Sequence, residues 1–165
     1  MKKVVFLDRD GVINVDVNDY TWKWEKFIFT PQLFDNLQLL VNKGFQFIII
    51  TNQGGISKNI YTKNDVFVLH SLMQKQFEAN GIPLLDIYFC PHHSAIEKCL
   101  CRKPGSLLLE KAIAKYNISL KHTYFIGDNE RDMLAAKGAG VEGIKINTNE
   151  GIERAVRLIL QQNAV

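Results

Sequence analysis

The stretch Phe45-Gln46-Phe47-Ile48-Ile49-Ile50 is almost continuously apolar. A half-buried strand alternates apolar and polar residues, so a nearly unbroken run predicts a strand covered on both faces, as in parallel sheets. Parallel strands need long crossover connections, usually helices, and the chain supplies them. Residues 3–8, 87–89, 123–126 and 143–146 read as further strands. Thr30-Pro31 offers a cap and a first-turn proline ahead of a helical stripe of Leu33, Phe34, Leu37, Leu40 and Val41, stopped by Gly44. Thr62 with Asp65 forms a capping pair before Val66, Leu69, Met73 and Phe77. Helical periods also cover Leu108–Tyr116, Asp132–Ala139 and Ile152–Leu160. The expected fold is α/β, a parallel sheet with helices on both faces.

Length and composition bound the rest. The 165 residues suit one domain, 1–165, and 47% hydrophobic residues are enough for a sizeable core. A formal charge of +3 carries little information. No apolar run reaches membrane-spanning length, and Met1-Lys2-Lys3 is not followed by a signal-peptide core, so a cytoplasmic protein with no membrane partner is expected. Lys98, Arg102 and Lys103 are basic, but no broad basic face or aromatic stacking set accompanies them, so no nucleic-acid partner is expected. A monomer is expected. The region 14–30, with Trp22 and Trp24, is irregular and reads as a surface loop near the active site.

The chemistry is concentrated just past the predicted strands. The first ends in Asp8-Arg9-Asp10-Gly11, two carboxylates with one residue between them. Paired carboxylates repel, which implies a compensating cation, and magnesium suits their oxygens. One acid can attack an electrophile and the other can move a proton. Thr51-Asn52-Gln53 follows the second strand, and Gly127-Asp128-Asn129-Glu130-Arg131-Asp132 follows the fourth. In an open parallel sheet these ends converge on one crevice, which Lys103 can also reach. Singly, each motif also reads as a turn or a helix cap.

All three cysteines fall in one window, Cys90-Pro91-His92-His93 followed by Cys99-Leu100-Cys101-Arg102-Lys103. An odd, clustered set in a chain expected to be cytoplasmic points to metal rather than disulfides. Cys90, His92, Cys99 and Cys101 suit a closed tetrahedral zinc site with no open position for water, hence a structural one, in a loop at about 90–103. His93 is left for solvent or substrate. The loop would fix Lys103 and Arg102, and an arginine can grip a second phosphate. His70 and His122 read as structural.

In order along the chain, Asp8-x-Asp10-Gly11, Thr51, Lys103 and Gly127-Asp128-x-x-x-Asp132 resemble the haloacid dehalogenase superfamily of phosphohydrolases over nearly the whole length. The resemblance implies a Rossmann-like fold, here without a large cap domain, and a small phosphorylated substrate. It implies Asp8 as nucleophile, Asp10 as general acid/base, and Thr51 and Asn52 holding the phosphoryl group. Lys103 would order the nucleophile. Magnesium would be held by Asp8, Asp128 and the Asp10 carbonyl, with Asp132 in support. Gln53 is expected at the substrate with Asn52. The zinc loop, Thr51-Asn52-Gln53-x-Gly55-Ile56 and Tyr61-Thr62 are similar to the D-glycero-D-manno-heptose-1,7-bisphosphate 7-phosphatases. Histidinol-phosphate phosphatases share the zinc arrangement and are the alternative: the short gap before Cys99 leans towards them, and Asn129 stands where the heptose enzymes carry lysine or serine. A phospho-acceptor signalling domain is a distant third reading, since it would place its phosphorylated aspartate on a middle strand.

Overall fold

The computed structural model describes residues 1–164. The apolar runs become five strands, β1 (Lys2–Leu7), β2 (Phe45–Asn52), β3 (Leu84–Cys90), β4 (Ile118–Gly127) and β5 (Glu142–Lys145). The helices are α1 (Leu33–Val41), α2 (Lys63–Ala79), α3 (Leu107–Tyr116), α4 (Glu130–Gly138) and α5 (Glu153–Gln162). The strands pair in parallel in the order β3-β2-β1-β4-β5.

β1 shows why the sheet is covered twice. Val5 and Leu7 pack with Leu37 of α1, Met73 and Phe77 of α2 and Ile159 of α5. Val4 and Phe6 point the other way, onto Leu109 and Ala112 of α3 and Ala135 of α4. All four β1 side chains are fully buried, each contributing about 1.5–3 kcal/mol of gross hydrophobic stabilisation. The chain steps from β1 outward to β2 and β3, then crosses back to β4 and β5 on the other side. That reversal opens a crevice beyond the carboxyl ends of the central strands. Among the described residues no helix is long and apolar enough to cross a membrane.

Thr62 and Asp65 form a reciprocal capping box, the Asp65 carboxylate accepting from Thr62 N at 2.8 Å. Thr30 does not cap α1. Its hydroxyl donates to Val12 O at 2.7 Å, tying the irregular segment to the turn that follows β1, and Gln32 in a left-handed conformation precedes the helix instead. α4 starts at Glu130, earlier than its apolar pattern suggests, because Asn129 and Asp132 make a second capping box. The region 14–30 is irregular apart from a short 3-10 turn, Trp24–Lys26. It packs inward through Phe27, on which Trp24 stacks.

Candidate active site

The last β1 residue delivers Asp8 into the crevice. Its Oδ1 accepts from Lys103 Nζ at 2.8 Å and from Arg9 N at 2.8 Å, leaving Oδ2 outside both contacts. Lys103 is nearly fully buried, and its ammonium also meets Asp132 Oδ1 at 2.7 Å and donates to Ile50 O at 2.9 Å. The ammonium thus donates to two oxygens and forms an ion pair with a third. Burial works against the Lys103 charge, but Asp8 and Asp132 outweigh it and hold its pKa above the ordinary value. Asp8 is less well served. Burial, with further repulsion from Asp132 and Asp128, pushes it from 3.8 up to about 8 despite Lys103. Asp128 is also raised, chiefly by burial.

Carboxylate oxygens of Asp8, Asp128 and Asp132 lie within 4.8 Å of one another. One lysine does not neutralise three acids, and an all-oxygen donor set of this kind fits a hard divalent cation. Asp132 already serves Lys103 and, through Oδ2, the Asn129 N–H at 3.1 Å, which makes it a support. Asp128 accepts from Thr148 Oγ1 at 2.8 Å. Its carboxylate lies where a Cβ on Gly11 would stand, and Gly11 has φ +86°, so both space and conformation demand glycine there.

Asp10 is held from all sides. Its Oδ1 accepts from Arg9 Nη2 at 2.9 Å and Asn14 Nδ2 at 3.0 Å, and its Oδ2 from Gln53 Nε2 at 3.1 Å. Burial would raise its pKa, but Arg9, Asn14 and Gln53 outweigh it and hold the carboxyl below its ordinary value. Arg9 is completely buried, donating to Thr21 O at 2.6 Å and facing His70 Nε2 at 3.2 Å. Burial, and then Arg9, keep His70 neutral, with a pKa near 3, so its Nε2 can accept from the guanidinium. Sequence reasoning passed over Arg9. Its role rests on Thr21 and His70, 12 and 61 residues away in the sequence, so no local pattern marks it.

Asn52 and Gln53, expected at the substrate, line the crevice region but spend their amides elsewhere. Asn52 clamps the Lys103 backbone, donating to its O at 3.1 Å and accepting from its N at 3.0 Å. Gln53 donates to Asp10 and, at 2.9 Å, to Thr51 Oγ1, while Tyr61 Oη donates to Gln53 Oε1 at 2.7 Å. Both amides therefore position neighbours. Tyr61 was legible as part of a motif but not in this role, because the contact depends on how the turn after β2 folds back.

Cys90 ends β3, and the loop that follows brings Cys101 Sγ to 3.2 Å and Cys99 Sγ to 3.6 Å from its sulfur. His92 Nδ1 lies 3.5 Å from Cys90 Sγ and 3.3 Å from Cys101 Sγ. Tetrahedral zinc, with zinc–sulfur bonds of about 2.3 Å, asks for sulfurs roughly 3.8 Å apart. The donors are thus gathered at close to the spacing such an ion needs. Burial pushes the Cys90 thiol up, a strain that ligation to a cation relieves. Arg102 Nη1 donates to His92 O at 2.8 Å.

The crevice has a volume of about 470 Å³ and is lined by Asp8, Asp10, Thr51, Asn52, Lys103, Asp128 and Arg131, with Asp16 and Asn18 from the irregular segment. A side pocket of about 370 Å³ adjoins it, lined by Asp19, Tyr20, Gly54, His93, Arg102 and Arg131 among others. Neighbouring groups hold the His93 pKa down, partial desolvation first and then Lys58, Arg102 and Arg131.

A family model described as HAD-hydrolase-like matches residues 100–162. The D-glycero-alpha-D-manno-heptose-1,7-bisphosphate 7-phosphatase of Campylobacter jejuni is 40% identical over 148 residues, covering 90% of this chain and 83% of the relative. The D-glycero-beta-D-manno-heptose-1,7-bisphosphate 7-phosphatase of Helicobacter pylori is 40% identical over 141 residues, 85% of this chain and 80% of the relative. The D,D-heptose 1,7-bisphosphate phosphatase of B. bronchiseptica, solved with magnesium and phosphate, superposes with a TM-score of 0.82 at 26% identity, covering 96% of this chain and 86% of that one. Family-level likeness over most of both chains thus joins the paired acids, buried lysine and cysteine loop: the chain belongs to the D-glycero-D-manno-heptose-1,7-bisphosphate 7-phosphatase family of haloacid dehalogenase-like hydrolases.

Proposed function

We propose that the protein hydrolyses the 7-phosphate of D-glycero-D-manno-heptose 1,7-bisphosphate through an aspartyl-phosphate on Asp8. The observation that carries this is the convergence of Asp8, Asp10, Thr51, Lys103 and Asp128 on one crevice, in a chain whose relatives bear that activity in their names. Asp8 Oδ2 attacks phosphorus while Lys103 and the Arg9 N–H hold Oδ1. Asp10, after taking up a proton, gives it to the leaving alkoxide and, as a carboxylate again, takes one from the attacking water, held in place for both by Arg9, Asn14 and Gln53. Thr51 and Lys103 face the phosphoryl oxygens. Asp8, Asp128 and the Asp10 carbonyl would hold Mg2+, which when bound neutralises the crowded carboxylates and the phosphoryl charge.

Cys90, His92, Cys99 and Cys101 are the proposed ligands of a structural zinc, supported by their spacing. The chain residues it would organise are Lys103, which reaches Asp8, and Arg102, a ligand for the second phosphate. The test is phosphate release from both anomers of the heptose bisphosphate and from histidinol phosphate, with Asp8→Asn as control. Bisphosphate turnover that disappears in Asp8→Asn is expected. A preference for histidinol phosphate by orders of magnitude would overturn the substrate and leave the phosphatase chemistry standing.

A further inference from the structure

Arg131 occupies the first turn of α4, where the helix dipole disfavours a cation. Its backbone N–H donates to Asn129 Oδ1 at 3.3 Å, which fixes the turn. Among the described residues its guanidinium makes no ion pair or hydrogen bond, whereas the four exposed ion pairs elsewhere satisfy Lys115, Lys145, Arg154 and Arg157. The side chain forms part of the wall of the catalytic crevice and of the side pocket, so it stands at their junction. Across the side pocket stands Arg102, one arm of which is committed to His92 O. Gly54 keeps the approach open, since a Cβ there would come within 3.1 Å of Arg102 Nη1.

The nearby acids do not answer this charge. Asp16 Oδ1 accepts from Asn18 N at 2.9 Å and Asp19 Oδ1 from Tyr20 N at 2.7 Å, each bracing its own turn. Two guanidiniums left without a protein carboxylate, beside a site that takes a phosphoryl dianion, describe a place for a second anion. Resting on the substrate reading above, we propose that Arg131 is a specificity-determining residue which, with Arg102, binds the distal phosphate of the bisphosphate. The reactive phosphate then sits at Asp8 and Lys103 while the second lies between the two arginines. Planar guanidiniums suit this because they grip phosphate oxygens in pairs.

The experiment compares kcat/KM for D-glycero-D-manno-heptose 1,7-bisphosphate and D-glycero-D-manno-heptose 7-phosphate in wild type, Arg131→Gln and Arg131→Lys. Wild type should prefer the bisphosphate at least tenfold. Arg131→Gln should cut that preference about tenfold, mainly through KM, and Arg131→Lys, with charge but no paired donors, should fall between. A preference unchanged in Arg131→Gln overturns the assignment, whether both substrates suffer equally, as for a group serving the transferred phosphoryl, or neither suffers. That outcome leaves the substrate reading intact. A wild type that does not prefer the bisphosphate removes the substrate reading and the subsite with it.

Discussion

Withholding Mg2+ should give the protein an unusual stability profile. Asp8 titrates near 8 in the folded chain against an ordinary value of 3.8. The folded state therefore binds a proton that the unfolded state releases, and stability rises as pH falls through 8, the gain growing until about 3.8. His70 works the other way. Its folded pKa near 3 lies below its ordinary 6.5, so its stabilising contribution is complete above 6.5 and is lost as pH drops towards 3. Between pH 8 and 6.5, Asp8 contributes between about 1 and 2 kcal/mol and His70 removes roughly half a kcal/mol, a net gain of about 1 kcal/mol. Below 6.5 the Asp8 and His70 slopes, each about 1.4 kcal/mol per pH unit, cancel into a plateau.

The assay is urea unfolding in magnesium-free buffer without chelator, at pH 8 and 6.5. With an m-value of about 2 kcal/mol/M, the midpoint should rise by about 0.5 M on acidification. Saturating Mg2+ holds Asp8 ionised and should abolish the rise, and so should Asp8→Asn. A midpoint that is flat or falls between pH 8 and 6.5 in magnesium-free wild type, or a rise that survives in Asp8→Asn, refutes the burial of Asp8 among other carboxylates as its source.

Tyr61→Phe removes the hydroxyl that orients Gln53; it should cost about 1 kcal/mol of stability and slow an alkyl phosphate several-fold more than p-nitrophenyl phosphate, whose leaving group needs no acid. Equal losses on both esters would separate Tyr61 from Asp10. Gly11→Ala forces a Cβ onto Asp128 at a positive φ, so it should weaken Mg2+ activation by tenfold or more, read as the metal concentration for half-maximal rate. Cys99→Ser should lower zinc content well below one equivalent and reduce turnover by loosening the segment that carries Lys103; normal zinc by elemental analysis would remove Cys99 from the ligand set.

Motif spacing made the crevice acids, Lys103 and the cysteine loop legible, because each follows a strand or shares a window whose pattern is local. Apolar runs and helical stripes likewise made five strands and five helices readable, since burial on two faces leaves its mark residue by residue. Boundaries slipped at two helix starts, where side-chain bonds rather than the apolar stripe set the first turn. Thr30 looks like a cap but bonds Val12, and α4 begins early because Asn129 and Asp132 cap each other.

What the chain alone determined is therefore which groups do chemistry and roughly where the sheet gathers them. Only the tertiary structure decided who holds those groups. Arg9, Asn14 and Gln53 meet Asp10, with His70 and Tyr61 behind them, and Asn52, on the crevice wall, also clamps the Lys103 backbone. The same holds for Arg131, which shares with Arg102 the lining of a pocket built from four separate segments. Such contacts join residues far apart in sequence, and a side chain's partner is set by packing at angstrom precision, which no local period encodes.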